Sequence, residues 1–324
     1  VRAHLAVVNG RLATELVDLT TDVTALDSSG FWVVVITFEG AVTCARFASV
    51  SAVPAAFGGR WAPVGGWRSS VSPSAWAAGV ADIRDAIAAG DVYQVNFTRR
   101  LSAPSGRVAL APLFSRFCAP HAAYVSLPGL EIASASPERF LRRDGLLVES
   151  QPIKGTASSF DGFLPKDRAE NVMIVDLVRN DLGRVCEYGS VTVPALCSVE
   201  AQPGLWHMVS TVRGRLRPGV GWGELLGATF PPGSVSGAPK LAALEVIAKL
   251  EPVARGPYCG AIGWVDADRQ RGDLNVAIRT FWQEAGELHF GAGGAITWDS
   301  SPGGEWEETE LKAARLLALA AGAR

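Results

Sequence analysis

Residues 122–148 read AAYVSLPGLEIASASPERFLRRDGLLV, and the parsing of this stretch decides the fold class. Three runs rich in apolar and β-branched residues, 122–127, 131–135 and 139–148, are separated only by Pro128-Gly129-Leu130 and by Ser136-Pro137-Glu138. Connections this short join antiparallel neighbours, because a parallel pair needs a crossover of a dozen or more residues. Upstream the same signal recurs: strands at 5–8 and 12–19 around Asn9-Gly10, then 31–38 and 42–47 around Glu39-Gly40. Residues 51–72 are rich in Gly, Pro and Trp and read as a connector or a loop over a sheet edge. A helix is expected at 74–89, capped by Ser72 or Ser74 and stopped by Gly90, then a strand at 93–101 and a short helix at 113–118.

Downstream, Pro165 opens a helix whose buried face carries Val172, Ile174, Val175, Leu177 and Val178, ended by Asn180, Asp181 and Gly183. Strands follow at 191–196 and 209–216, helices at 222–228 and 241–250, strands at 261–266, 274–282 and 288–291, and a closing helix from about 305 to 321. Strand pairs with short turns, interrupted by helices in no strict alternation, predict an α+β fold with largely antiparallel sheets.

The 324 residues are 48% hydrophobic and 19% charged, enough to bury a large core, and the net charge of −2 offers no basic surplus for nucleic acid. The longest strongly apolar run, 31–38, is too short to span a bilayer, and the N-terminus lacks a signal pattern. The expectation is a cytoplasmic protein that binds neither membrane nor nucleic acid. Five scattered cysteines without a CxxC pair argue against disulfides and zinc and read as buried thiols.

Candidate chemistry gathers between Glu149 and Val185. The chain has only five lysines against 25 arginines, and one of them, Lys154, stands in Pro-Ile-Lys-Gly-Thr, between a φ-fixing proline and a permissive glycine. A desolvated lysine can be neutral and act as a nucleophile or base, which arginine cannot; a solvated loop cation is the other reading. Asp167 and Glu170 lie three apart at a helix start, where they share a face and could hold a hard cation, or simply complement the helix dipole. Glu305 and Glu308 repeat that spacing on the closing helix, followed by Lys312. Two such pairs suit a Mg2+ site built from two helices, although Glu307 and Glu310 leave a solvated acidic face as the alternative. The Gly-rich loop 230–240 before a helix offers backbone N–H groups to an anion, more plausibly a carboxylate than a nucleotide, or forms a structural turn.

Seven ordered motifs resemble the chorismate-utilising enzymes: GDVYQVN at 90–96, SPERF at 136–140, PIKGT at 152–156, AENVMIVDLVRNDL at 169–182, HMVS at 207–210, GSVSGAPK at 233–240 and EETELK at 307–312. That family includes component I of anthranilate synthase and of aminodeoxychorismate synthase, and the isochorismate and salicylate synthases. The resemblance implies a chorismate-binding domain over 1–324, in which two large, mainly antiparallel sheets pack as a sandwich with helices outside. Residues 1–72 would be a shortened N-terminal part contributing strands, and 73–324 the catalytic core. The family's larger members carry a longer N-terminal region that often binds a regulatory amino acid.

Site roles also follow from the resemblance. Glu170 and Glu308 match Mg2+ ligands, with Asp167 and Glu305 holding the metal's waters. Glu138 matches a general acid, and Lys154 the covalent nucleophile of aminodeoxychorismate synthases, where anthranilate synthases carry a small residue. Tyr258, Arg279, Lys312 and the backbone at Gly291 and Gly293 match substrate-carboxylate positions; Ser236 faces the ring, and His207 is the histidine of HMVS. Gln94 stands where isochorismate and salicylate synthases place a water-activating lysine. The implied activity is amination of chorismate to 4-amino-4-deoxychorismate, for folate and para-aminobenzoate biosynthesis, with ammonia from a glutamine amidotransferase partner. The alternatives are an anthranilate or 2-amino-2-deoxyisochorismate synthase component I, and a catalytically inactive chorismate-binding subunit.

Overall fold

A computed structural model describes residues 4–54, 57–157, 159–202 and 205–323. The N-terminal part supplies β1 (Leu5–Val8), β2 (Arg11–Thr20), β3 (Phe31–Ile36), β4 (Val42–Ala52) and β5 (Arg68–Ser69). Helix α1 (Pro73–Ala89), β6 (Gln94–Pro104) and the one-turn α2 (Ala111–Phe114) come next. A run of strands follows: β7 (Ala123–Leu127), β8 (Leu130–Ser134), β9 (Arg139–Asp144), β10 (Leu147–Gln151) and β11 (Ile153–Ala157). Then come α3 (Pro165–Gly183), β12 (Thr192–Gln202), β13 (Leu205–Arg215), α4 (Trp222–Thr229), β14 (Gly237–Ala238) and α5 (Lys240–Leu250). The last elements are β15 (Ala261–Asp266), β16 (Arg271–Val276), β17 (Thr280–Glu284), β18 (Glu287–Ile296) and α6 (Pro302–Ala320).

The 18 strands form one hydrogen-bonded ladder, antiparallel at every pairing among the described residues. It runs β12, β13, β10 with β11, β9, β16, β15, β3, β4, β2, β1, β7, β8, β17, β18 and β6, with β5 and β14 on the other edge of β6. Strand alternation shows that the ladder doubles back on itself. Ala6 and Val8 of β1, Val125 of β7 and Trp282 of β17 share one core with Val33, Leu141, Trp264 and Leu274 from the other half. Their sequence neighbours Val7, Tyr124 and Phe281 face the opposite way, into a second core beneath α6. The two expected sheets are therefore the halves of a single ladder. Its turning point is β2, which pairs β4 along its length, with a register shift between Leu16 and Asp18, and β1 along its first four residues.

Local sequence explains most boundaries. Helix α1 begins where Ser72 Oγ accepts the Ala75 N–H at 3.2 Å and ends at Gly90, whose φ of 83° is left-handed. β4 runs on through Ala52 into the expected connector, whose remaining described residues hold only β5 as regular structure; the connector caps α6, where Trp61 Nε1 and Val64 N both donate to the Ala320 carbonyl, at 2.7 and 2.8 Å.

Two expected strands are broken. Residues 139–148 form the β9–β10 hairpin, turning at Gly145 (φ 60°), because Asp-Gly favours a tight left-handed turn over extension. Residues 274–282 divide into β16 and β17 around Arg279, whose own φ is 53°. Strand β11, unanticipated, pairs with β13 through an irregular register between Ile153 and Thr156. Of the cysteines, Cys118 is exposed and the other four are buried, all unpaired. No helix among the described residues is long and apolar enough to cross a membrane.

Candidate active site

Lys154 projects from the bulge in β11. Gly155 beside it has φ 85°, and a Cβ there would lie 2.9 Å from Asp167 Cβ and 3.1 Å from Phe163 Cδ1, so glycine lets β11 press against the first turn of α3. Lys154 is only 9% exposed, which removes the solvated-cation reading. Burial holds its pKa below the ordinary lysine range; Lys312 pushes the same way, while Glu170, Glu138 and Glu308 oppose.

Glu138, 3% exposed, precedes β9 in a turn fixed by Ser136, whose Oγ accepts the Glu138 N–H at 3.2 Å and donates to Val276 O at 2.6 Å. Burial pushes the Glu138 carboxyl up to about 7, against hydrogen bonds from Ser234 and the Ile153 N–H and the charge of Lys154. An acid poised there can donate a proton at neutral pH. The loop hydroxyl that reaches it is Ser234. Ser236 instead closes its own loop, donating to Pro232 O at 3.1 Å.

The four acids start two helices. Asp167 does the capping job: its Oδ2 accepts the Leu164 N–H at 2.7 Å. Glu170 looks across the site instead. Burial raises its pKa, Lys154 and Lys166 oppose this, and Asp167 and Glu308 add to it. On α6, burial raises Glu305, which accepts from Ser300 Oγ at 2.6 Å. Burial would also raise Glu308, yet Lys312, 2.6 Å away, brings it below the usual range. Lys312 Nζ donates in addition to Gly293 O at 3.1 Å. Bare backbone at Gly294 leaves room between them: a Cβ there would lie 2.9 Å from Glu305 Oε2 and 3.9 Å from Glu308 Oε1.

His207, Arg279 and Arg315 form a second group. His207, on β13 opposite Thr156 of β11, is driven down to about 4 by burial and by Arg279, so its imidazole is neutral at pH 7. Burial, with Arg315 nearby, lowers Arg279. Among the described residues neither guanidinium has a carboxylate partner, an arrangement that suits an anion. The left-handed backbone at Arg279 costs a non-glycine residue about 1–3 kcal/mol and is the kind of strain that collects at ligand sites. Tyr258 lies flat on β18, where a Cβ at Gly291 would come 2.1 Å from its ring. Gln94 is fully buried with neither amide atom partnered among the described residues.

Sequence reasoning missed Ser234, Ser300, Lys166 and Arg315. The last two had a signal: Lys166 is one of five lysines, and Arg315 stands one helical turn beyond Lys312. Nothing local distinguishes Ser234 from Ser236.

The model of the chorismate binding enzymes matches residues 55–318. The chain belongs to the chorismate-binding enzymes. Among its curated relatives, an aminodeoxychorismate synthase component 1 from Klebsiella aerogenes is 38% identical over 288 residues, covering 84% of this chain and 64% of the relative. An anthranilate synthase component 1 from Streptomyces coelicolor is 39% identical over 289 residues, 82% of this chain and 56% of the relative. The chain spans between about a third and two thirds of the length of such curated relatives. The fold is that of anthranilate synthase component I from Streptococcus pneumoniae, with a TM-score of 0.80 at 23% identity over 98% of this chain and 91% of that one. The menaquinone-specific isochorismate synthase from Escherichia coli superposes at 0.81 with 17% identity, over 98% and 88%. Among chorismate-binding enzymes, overall similarity does not choose between the amination activities, and the choice falls to individual side chains.

Proposed function

We propose that this chorismate-binding enzyme is a component I aminodeoxychorismate synthase, converting chorismate and ammonia to 4-amino-4-deoxychorismate through a covalent adduct on Lys154. One observation carries the reading: Lys154 is buried beside Glu138, with its pKa held down while that of Glu138 is held up. A buried amine whose pKa is lowered, next to a buried carboxyl raised to about 7, suits the nucleophile and acid that displacement of a hydroxyl requires.

In the first step Nζ of Lys154 bonds to C2, the double bond shifts, and the C4–O bond breaks as Glu138 gives its proton to the departing oxygen, which leaves as water. Nζ is then a secondary ammonium and Glu138 a carboxylate. Ammonia attacks C4, the double bond shifts back, and the C2–Nζ bond breaks to release Lys154 as the neutral amine. One proton of the new C4 ammonium returns to Glu138, which restores both groups. Arg279 and Lys312 would hold the substrate's carboxylates, with Tyr258 and the β18 backbone at Gly291 and Gly293 shaping the wall; neutral His207 donates or accepts without adding charge.

The acids fit Mg2+. Mg2+ takes one or two protein carboxylates and completes its shell with water and substrate. Glu170 and Glu308 would hold it, backed by Asp167 and Glu305, whose remaining oxygens are free of the Leu164 and Ser300 bonds. When bound, Mg2+ supplies positive charge against the substrate's carboxylates.

Ammonia would come from a glutamine amidotransferase partner, in keeping with the component 1 names of the relatives. The continuous ladder supports treating 1–324 as one chorismate-binding unit, with folate or para-aminobenzoate synthesis as its setting. The test is a product assay with chorismate, Mg2+ and ammonium, read by mass spectrometry. 4-Amino-4-deoxychorismate supports the assignment; anthranilate overturns it.

A further inference from the structure

Strand β11 carries one residue more than its partner can match. Ile153 lies opposite Val209 and Thr156 opposite His207, so three steps along β11 answer two along β13. The surplus falls at Lys154 and Gly155, the bulge from which the lysine projects. A bulge withdraws backbone partners, and a buried carbonyl facing the gap needs a donor from elsewhere. On β13 the Ser210 N–H turns toward β11, donating to Pro152 O at 3.1 Å. Alternation places the Met208 backbone groups on that same edge, facing the bulge. The donor that reaches Met208 O is a side chain of α3: Asn171 Nδ2 lies 3.2 Å away.

Asn171 is fully buried, and both ends of its amide are engaged. Its Oδ1 accepts from Ser210 Oγ, which itself accepts the Cys197 N–H at 2.8 Å. One amide thus joins α3 to β13, and through Ser210 to β11 and β12. Apolar packing by Ile174, Val175 and Val178 holds the helix against the core but is non-directional, whereas hydrogen bonds fix where along the strands it stops. Glu170, the residue before Asn171, is the proposed Mg2+ ligand of α3, and the bulge carries the proposed nucleophile. We propose that Asn171 is a positioning residue: by supplying the donor that the β11 bulge withdraws from Met208, it fixes the projection of Lys154 relative to Glu170. The inference deepens the aminodeoxychorismate synthase reading, on which the role of Lys154 rests, but its first test needs no chemistry.

Asn171→Leu keeps the size of the side chain and removes both hydrogen bonds. In the enzyme without chorismate, labelling by acetic anhydride followed by peptide mapping reads how far each lysine is shielded. Lys154 should label at least about fivefold faster in the variant than in wild type, while Lys240, held 2.7 Å from Asp181 of the same helix, should keep its wild-type rate. Single-turnover adduct formation should fall at least about thirtyfold at saturating chorismate, with the half-saturating concentration within about threefold, because Arg279 and Lys312 stand outside the elements that Asn171 joins. Ser210→Ala is milder, since it leaves the bond to Met208; it should move Lys154 labelling and adduct rate the same way by at least about threefold, and it decides the matter if Asn171→Leu does not fold. Lys154 labelling at the wild-type rate in a folded variant overturns the inference. So does a parallel rise at Lys154 and Lys240, which is a general loosening of α3. If wild type forms no adduct, the labelling contrast still judges Asn171, and what falls is the aminodeoxychorismate synthase reading.

Discussion

Removing the Ser234 hydroxyl should make the enzyme faster at alkaline pH. Glu138 titrates at about 7 because burial raises it, and the hydrogen bond from Ser234 opposes that rise by favouring the carboxylate. A hydrogen bond to a buried charged group is worth about 1.5–3 kcal/mol. At 1.36 kcal/mol per pKa unit, Ser234→Ala should lift the Glu138 pKa by about 1–2 units. The general acid works protonated, so the loss of activity on the basic side should move from near 7 to about 8–9. Ammonia itself titrates in that range, so the clean assay is single-turnover adduct formation on Lys154 without ammonia, followed by intact-protein mass against pH. At about pH 8, wild type keeps roughly a tenth of the acid protonated and the variant half or more, so the variant should be about fivefold faster there. A basic limb that stays at 7 or falls, in a variant of normal rate below it, refutes Ser234 as the partner of Glu138 or Glu138 as the acid.

Glu138→Gln should abolish adduct formation yet stabilise the fold. The carboxyl is raised from an ordinary 4.5 to about 7, so folding bears no penalty below the lower value and an increasing one as pH rises to the upper. Urea unfolding should therefore show a gain of about 3 kcal/mol at pH 8 and almost none at pH 4.5. Glu170→Gln and Glu308→Gln should each abolish turnover with the circular dichroism spectrum intact, and isothermal titration should show weakened Mg2+ binding; full activity at unchanged Mg2+ dependence removes that residue from the metal site. Gly155→Ala combines a left-handed φ of 85° with a Cβ 2.9 Å from Asp167. It should lose about 2–4 kcal/mol and cut activity by displacing Lys154, and a variant with unchanged Tm contradicts the tight β11–α3 contact.

Much of the site was legible because it depends on local spacing. Acid pairs three residues apart at helix starts, a lysine between Pro152 and Gly155, and Gly90 closing a helix are signals that short-range stereochemistry writes into sequence. Their meaning in space was not. By spacing alone Asp167 and Glu170 are equivalent; the resemblance separates their roles, and the fold shows Asp167 as a cap and Glu170 as a carboxylate close enough to feel Glu308. Arg279 looked like the interior of a strand, because a left-handed residue without glycine leaves no mark in the pattern. The single ladder was hidden for a similar reason: pairing of β2 with both β1 and β4 is a long-range choice that hydrophobic alternation in each strand permits but does not dictate.

Lys154 is the residue on which the covalent mechanism depends most directly. Wild type incubated with chorismate and Mg2+ but no ammonia, then digested and mapped by mass spectrometry, should carry chorismate less one water on the peptide containing Lys154. Lys154→Arg should carry none and make no product, since a guanidinium stays protonated. An unmodified Lys154 peptide in wild type, together with near-normal turnover of Lys154→Arg, contradicts the covalent mechanism and the assignment built on it.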